Sequence, residues 1–171
     1  KDKQIDELLK AAREERKRPR TVNQTNTKNY NVNQQINVFG KESLAHLSEA
    51  KLQELLSDPD TSVARLVTLK HSVQENQNVR VPNRREKWVQ VLKEGVDGKK
   101  VWESVPKNDI LGEIVETNAM LLEGEADEST VPGLRYSQWH ERLLHSQDTD
   151  GKLFREQMDI VHNTLVESTR Q

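Results

Sequence analysis

Trp88-Val89-Gln90-Val91-Leu92-Lys93-Glu94-Gly95-Val96-Asp97-Gly98-Lys99-Lys100-Val101-Trp102-Glu103-Ser104-Val105-Pro106 is the stretch whose reading decides the fold. Two alternating, Val-rich segments, 88–92 and 101–105, flank a turn in which Asp97-Gly98 supplies the positive φ that a hairpin needs. Pro106 ends the sheet, since it has no amide to give a ladder. Val79-Arg80-Val81 carries a further strand signal just upstream.

Helical patterns surround this hairpin. Ser48 is placed to cap a helix through Leu56 with Leu47, Leu52, Leu55 and Leu56 on one side. Ser57-Asp58-Pro59-Asp60 reads as a turn, and Ser62 opens a second helix bearing Val63, Leu66, Val67 and Leu69. After Pro106, Asn108 or Asp109 is expected to cap a third, with Ile110, Leu111, Ile114, Val115, Met120, Leu121 and Leu122. Residues 40–124 therefore read as a small helix-helix-β-hairpin-helix domain of the α+β class. Past an acidic linker at 123–129, segments 134–145 and 153–166 form a helical hairpin within 130–171, closed by the turn Asp148-Thr149-Asp150-Gly151. Trp88 and Trp102 are expected in the core, because a chain with only 4% aromatic residues has few large side chains to bury; the alternative is a cationic sheet edge on which they stack bases.

The front of the chain reads differently. Residues 1–20 comprise a short helix and a basic run, with Ile5, Leu8 and Ala12 at a, d and a of a heptad and Leu9 widening the stripe. A helix this short is marginal alone, so the stripe predicts a coiled coil; the alternative is a surface helix packed on its own domain. Arg16, Lys17, Arg18 and Arg20 cluster around Pro19, as a phosphate-contacting or import patch or as a solvated helix end. In 21–39, nine residues between Thr21 and Asn37 are Asn or Gln, yet Tyr30, Val32, Ile36 and Val38 all fall on even positions. That period of two predicts an Asn-rich strand pairing with copies of itself; a disordered linker is the alternative.

Length and composition bound the function. At 171 residues, 33% hydrophobic and 32% charged, the chain is poor in core material for a compact enzyme, and no apolar run approaches the roughly 18–20 residues of a membrane span. It opens on Lys1 rather than Met, as a piece of a longer protein would. Net charge is −2, but by segment it is +4 over 1–40, +2 over 41–107 and −8 over 108–171. Cysteine is absent, which removes disulfides and thiolate sites from this segment. Aligned on an EF-hand loop, 148–151 would put Ser146 and Gln157 where charged ligands belong, so it is expected to be a helix-ending turn. His140 and His145 are five apart, which points them to different helix faces and disfavours a zinc pair. No catalytic site, cofactor or metal is expected. Arg80, Arg84 and Arg85, with Lys87, Lys99 and Lys100 nearby, are candidate phosphate contacts, diluted by Glu86 and Glu103.

Several of these residues carry a resemblance. Lys1-Asp2-Lys3-Gln4-Ile5-Asp6-Glu7-Leu8-Leu9, the Asn-rich bridge, Ile36-Asn37-Val38-Phe39-Gly40-Lys41-Glu42-Ser43-Leu44, then Leu66-Val67-x-Leu69-Lys70-His71 and Glu75-Asn76-x-Asn78-Val79-x-Val81-x-Asn83 resemble an uncharacterised family encoded by large DNA viruses, with relatives in protist genomes. The resemblance covers about residues 1–122 and implies a zinc-finger-like segment upstream of a coiled coil. This chain departs from the pattern in lacking the finger and in carrying Ser72-Val73-Gln74 where the family has Phe-Asn-Pro.

The expected function is a non-enzymatic homo-oligomerisation module of a viral, nucleic-acid-associated protein. A trimer is favoured, since three strands can close on one another and leave no free edge. Ile5, Leu8, Leu9, Ala12, Tyr30, Val32, Ile36 and Val38 form the expected interface. The alternatives are direct DNA or RNA binding through Arg16, Lys17, Arg18, Arg20, Arg80, Arg84 and Arg85, or a structural virion or fibre component. No membrane partner is expected, and the setting is intracellular, nuclear or in the virion.

Overall fold

The hairpin anchors a computed structural model that describes residues 2–17 and 35–169. Strand β2 (Trp88–Glu94) pairs antiparallel with β3 (Lys100–Pro106) in the register Val89↔Val105, Leu92↔Trp102 and Glu94↔Lys100. Gly98 takes φ +79°, a conformation that only glycine adopts cheaply, and its N–H donates to the Gly95 carbonyl at 3.0 Å. The two-residue β1 (Val79–Arg80) pairs with the other edge of β2, Val79 opposite Val91. With helices α1 (Asp2–Lys17), α2 (Glu49–Leu56), α3 (Pro59–Lys70), α4 (Lys107–Glu125), α5 (Val131–Asp148) and α6 (Lys152–Thr169), the described residues form an α+β fold.

Helix ends follow local chemistry, with four departures from expectation. Ser48 caps α2, its hydroxyl accepting from the Lys51 N–H at 3.1 Å. Helix α3 begins at Pro59 rather than Ser62: proline suits the first helical turn, where its missing N–H has no partner to lose. Ser62 is buried instead and donates to the Pro59 carbonyl at 2.7 Å. Neither Asn108 nor Asp109 caps α4, which runs straight off β3 with Pro106 at its N-cap. Helix α4 also continues through Gly124 into the expected linker. Helix α5 starts at Val131, capped by the Thr130 hydroxyl, which accepts from the Gly133 N–H at 3.2 Å.

The segments 40–124 and 130–171 are not separate domains. Tyr136, Trp139, Leu143, Val161 and Leu165 of α5 and α6 share one hydrophobic core with Leu55 and Leu56 of α2, Leu66 of α3, Val89 and Val91 of β2 and Leu122 of α4. Polar ties cross the same boundary. Trp139 Nε1 donates to Asp60 Oδ1 at 3.0 Å and Gln157 Nε2 to the Asp60 carbonyl at 3.0 Å. The sheet closes the core against α4, through β2 and β3, and against α6, through β1.

Two parts of the expected oligomer interface are used within the chain. Leu9 of α1 lies over Gly124 so closely that a Cβ there would overlap it, and Arg13 approaches Glu125 at 3.9 Å, so α1 is in part a surface helix on its own domain. Residues 35–39 form no strand: Ile36 is buried within its own chain, the Asn37 N–H donates to the Glu75 carbonyl at 2.7 Å and the Phe39 N–H to the Leu92 carbonyl at 2.8 Å. The amides of Asn37 and Phe39 are thus used in cis and are not free to pair with a neighbouring copy. Tyr30 and Val32 lie outside the described residues, as does the side chain of Ala12.

Candidate nucleic-acid interface

The sheet has two faces set by its register. Val79, Val89, Val91 and Val105 turn toward the core, so the alternate residues Arg80, Trp88, Gln90, Trp102 and Ser104 occupy the other face. The expectation that both tryptophans are core residues is therefore overturned. Trp88 is 53% exposed, and Trp102 is half-buried beneath Arg80, whose guanidinium carbon sits 3.7 Å from the ring centroid. Only Trp139, off the sheet, is fully enclosed. The signal was in Trp-Val-Gln-Val: Trp88 shares its parity with Gln90, not with the valines.

The loop entering β2 presents cations beside this face. Asn83 folds the loop back, its side-chain oxygen accepting from the Arg85 N–H at 3.0 Å and its carbonyl from the Glu86 N–H at 3.1 Å. Arg84, Arg85 and Lys87 are exposed, and none is within ion-pair distance of a carboxylate among the described residues. The Lys87 carbonyl accepts from the Lys107 N–H at 2.8 Å, which brings Lys107 to the same corner. His162 of α6 registers the resulting potential: burial first, then the cations of Lys107 and Arg84, hold its imidazole below the ordinary range against the pull of Asp159. Arg84 and Lys107 thus lie by His162 of α6, near the end of the sheet where Trp88 pairs with Pro106, while Arg80 covers Trp102 on the outer face. Arg18 and Arg20 lie outside the described residues, as do the side chains of Arg16 and Lys17.

A second constellation was not anticipated. Asn76, fully buried, accepts at Oδ1 from the Asn37 side chain (3.0 Å) and the Ser43 N–H (2.8 Å), and donates from Nδ2 to the Ser43 (2.7 Å) and Lys70 (2.9 Å) carbonyls. Buried Asn78 donates to the Asn37 carbonyl at 3.0 Å. Beside them Lys70 Nζ reaches Asn118 Oδ1 at 3.1 Å and Glu42 Oε2 at 3.9 Å, both ends of the ion pair being 6% exposed at the side chain. Burial pushes the Lys70 amine down, opposed by Glu42. This cluster binds the strap 35–44 to the domain. Its members stand out in the sequence only as local motifs, because all but one of the pairings join residues 28 to 48 apart.

Between α1 and the α4–α5 layer runs a third feature, an open apolar groove of about 870 Å³. Ile5 and Leu8 line one wall and Met120, Leu143, Leu144 and Phe154 the other; Leu8 is 50% exposed.

The remaining candidates are structural in their geometry. In the 148–151 turn, Asp150 Oδ1 accepts from the Lys152 N–H at 3.0 Å at the start of α6, and the Gly151 N–H donates to the Ser146 carbonyl at 2.7 Å. His140 Nδ1 lies 3.4 Å from Glu123 Oε2, and Ser137 donates to the other oxygen of that carboxylate at 2.9 Å. The serine is thus tied to the acid rather than to the histidine, which is not a nucleophile-base arrangement. Among the described residues no three His, Asp or Glu side chains converge as a metal site, and no helix is long and apolar enough to cross a membrane. No family model, curated protein or solved structure matches the chain.

Proposed function

We propose that this chain is a non-enzymatic nucleic-acid-binding module that works through the outer face of its sheet and the loop 80–87. The observation that carries the reading is Trp88, 53% exposed at the end of a sheet, immediately after exposed Arg84, Arg85 and Lys87 with no carboxylate partner among the described residues. An exposed indole beside unpaired guanidinium groups combines a stacking surface with phosphate contacts. Glu86 reduces the local charge without cancelling it.

Binding through about four phosphates predicts strong salt dependence. Affinity for a 20-residue oligonucleotide, followed by fluorescence anisotropy, should fall roughly 50- to 150-fold between about 50 and 200 mM salt. The double substitution Arg84→Glu/Arg85→Glu should abolish most of it. Equal affinity in the variant would remove the reading.

Homo-oligomerisation is a second reading, favoured by Leu8, half-exposed on α1 with Leu144 45% exposed across the groove. Leu9 and Ile36 no longer support it, since both are used in cis. Light scattering decides: a mass near 19.7 kDa at micromolar concentration excludes it.

A further inference from the structure

The outer face of the sheet has more order than a basic patch requires. Moving along it from the β2 entrance, the rows of the ladder are Trp88 with Pro106, then Gln90 with Ser104 and Arg80, then Leu92 with Trp102, then Glu94 with Lys100. Leu92 is buried although it faces away from the main core, because the strap crosses there: the Phe39 N–H donates to the Leu92 carbonyl, and Lys100 Nζ donates to the Ile36 carbonyl at 2.8 Å. The open part of the face is therefore bounded by Trp88 at one end and the Arg80 guanidinium over Trp102 at the other. Four residues of strand separate those rows, about 13 Å. Between them lie the exposed hydroxyl of Ser104 and the half-buried amide of Gln90.

Two flat π surfaces with hydrogen-bonding groups between them suit bases that are already unstacked. Duplex readout instead inserts a helix or a two-stranded ribbon into the major groove. The ribbon available here is the hairpin tip, where Glu94 and Asp97 offset exposed Lys99, Lys100 Nζ is engaged by the Ile36 carbonyl at 2.8 Å and Lys93 by Glu103 at 3.9 Å. The unpaired cations Arg84, Arg85 and Lys87 are at the opposite end, beside Trp88.

We propose that the outer sheet face binds single-stranded nucleic acid, stacking one base on Trp88 and another on the Arg80 guanidinium, with the flanking phosphates held along Arg84, Arg85 and Lys87. The proposal rests on the nucleic-acid reading above and adds the strandedness and the contacts. Trp88 is the stacking residue; Arg80 acts on the second base through a plane that Trp102 holds in place.

The test compares a 20-residue oligothymidine strand with a 20-base-pair duplex on the intact chain, using anisotropy and intrinsic tryptophan emission. The single strand is expected to bind more tightly and to quench the exposed Trp88. Trp88→Ala should weaken single-strand binding roughly 5- to 100-fold and duplex binding by much less, and Trp88→Phe should restore most of the loss. Trp88 is exposed, so unchanged far-ultraviolet circular dichroism is expected in both variants. Equal affinity for the two probes with no effect of Trp88→Ala would overturn the single-strand proposal while leaving nucleic-acid binding in place. Absence of binding to either probe at 50 mM salt would overturn both.

Discussion

Asn76 shows what one buried amide does here. It makes four hydrogen bonds that join the strap, at Asn37 and Ser43, to Lys70 at the end of α3, so truncating it would leave three backbone groups dry and unpaired, at about 1–3 kcal/mol each. His71, next to Lys70, is the titratable member of the same neighbourhood. Burial lowers its imidazole from 6.5 to about 4, against the attraction of Glu42 and with the help of Lys70. The folded state refuses a proton that the unfolded chain accepts, so this contribution is complete above pH 6.5 and is lost as pH falls toward 4, by at most about 3 kcal/mol. Urea titrations at pH 7 and pH 4.5 should show that loss, and His71→Gln should flatten it. An unchanged pH profile in the variant would place the acid sensitivity elsewhere.

At the scale of elements, the docking of α1 depends on a single missing methyl group. Gly124 sits inside α4, where replacing glycine by alanine ordinarily stabilises a helix by roughly 0.5–1 kcal/mol. With Leu9 lying over it, the added Cβ has no room, and the sign should reverse. Gly124→Ala is therefore expected to destabilise the protein and to raise amide exchange in α1, while Gly124→Ala/Leu9→Ala recovers the helix-propensity gain. Simple stabilisation by the single substitution would show that α1 does not dock in this way. Sequence periodicity marked Ile5, Leu8 and Leu9 as one apolar stripe but gave no sign of its partner, since a glycine near a helix end reads equally as a terminator. The hairpin was the opposite case. Its alternation and its Asp97-Gly98 turn are local, and both strands appeared within two residues of their expected ends.

Across the whole molecule, the acidic C-terminal hairpin and the more basic strand region share one core. Gln157, 2% exposed, and Trp139 both bond to Asp60, about 80 to 100 residues away in sequence, and the Val81 N–H donates to Thr169 Oγ1 at 3.3 Å. Unfolding should accordingly be one cooperative transition, with circular dichroism and the fluorescence of enclosed Trp139 changing together. Separate midpoints for the two probes would mean that the hairpin unfolds as an independent unit.

The division between what is local and what is not follows from this. Turn chemistry, strand alternation, the Ser48 cap and the charge distribution were set by neighbouring residues, so the α+β class, the hairpin and the candidate cations Arg80, Arg84 and Arg85 could be read from the sequence alone. The tertiary structure decided which side of each element meets another: that Trp88 faces out and Trp139 in, that Leu9 covers Gly124, and that Glu42, Lys70, Asn76 and Asn118 meet. A period specifies a face but not its occupant, and burial is a property of pairs of surfaces that the chain brings together only when it folds.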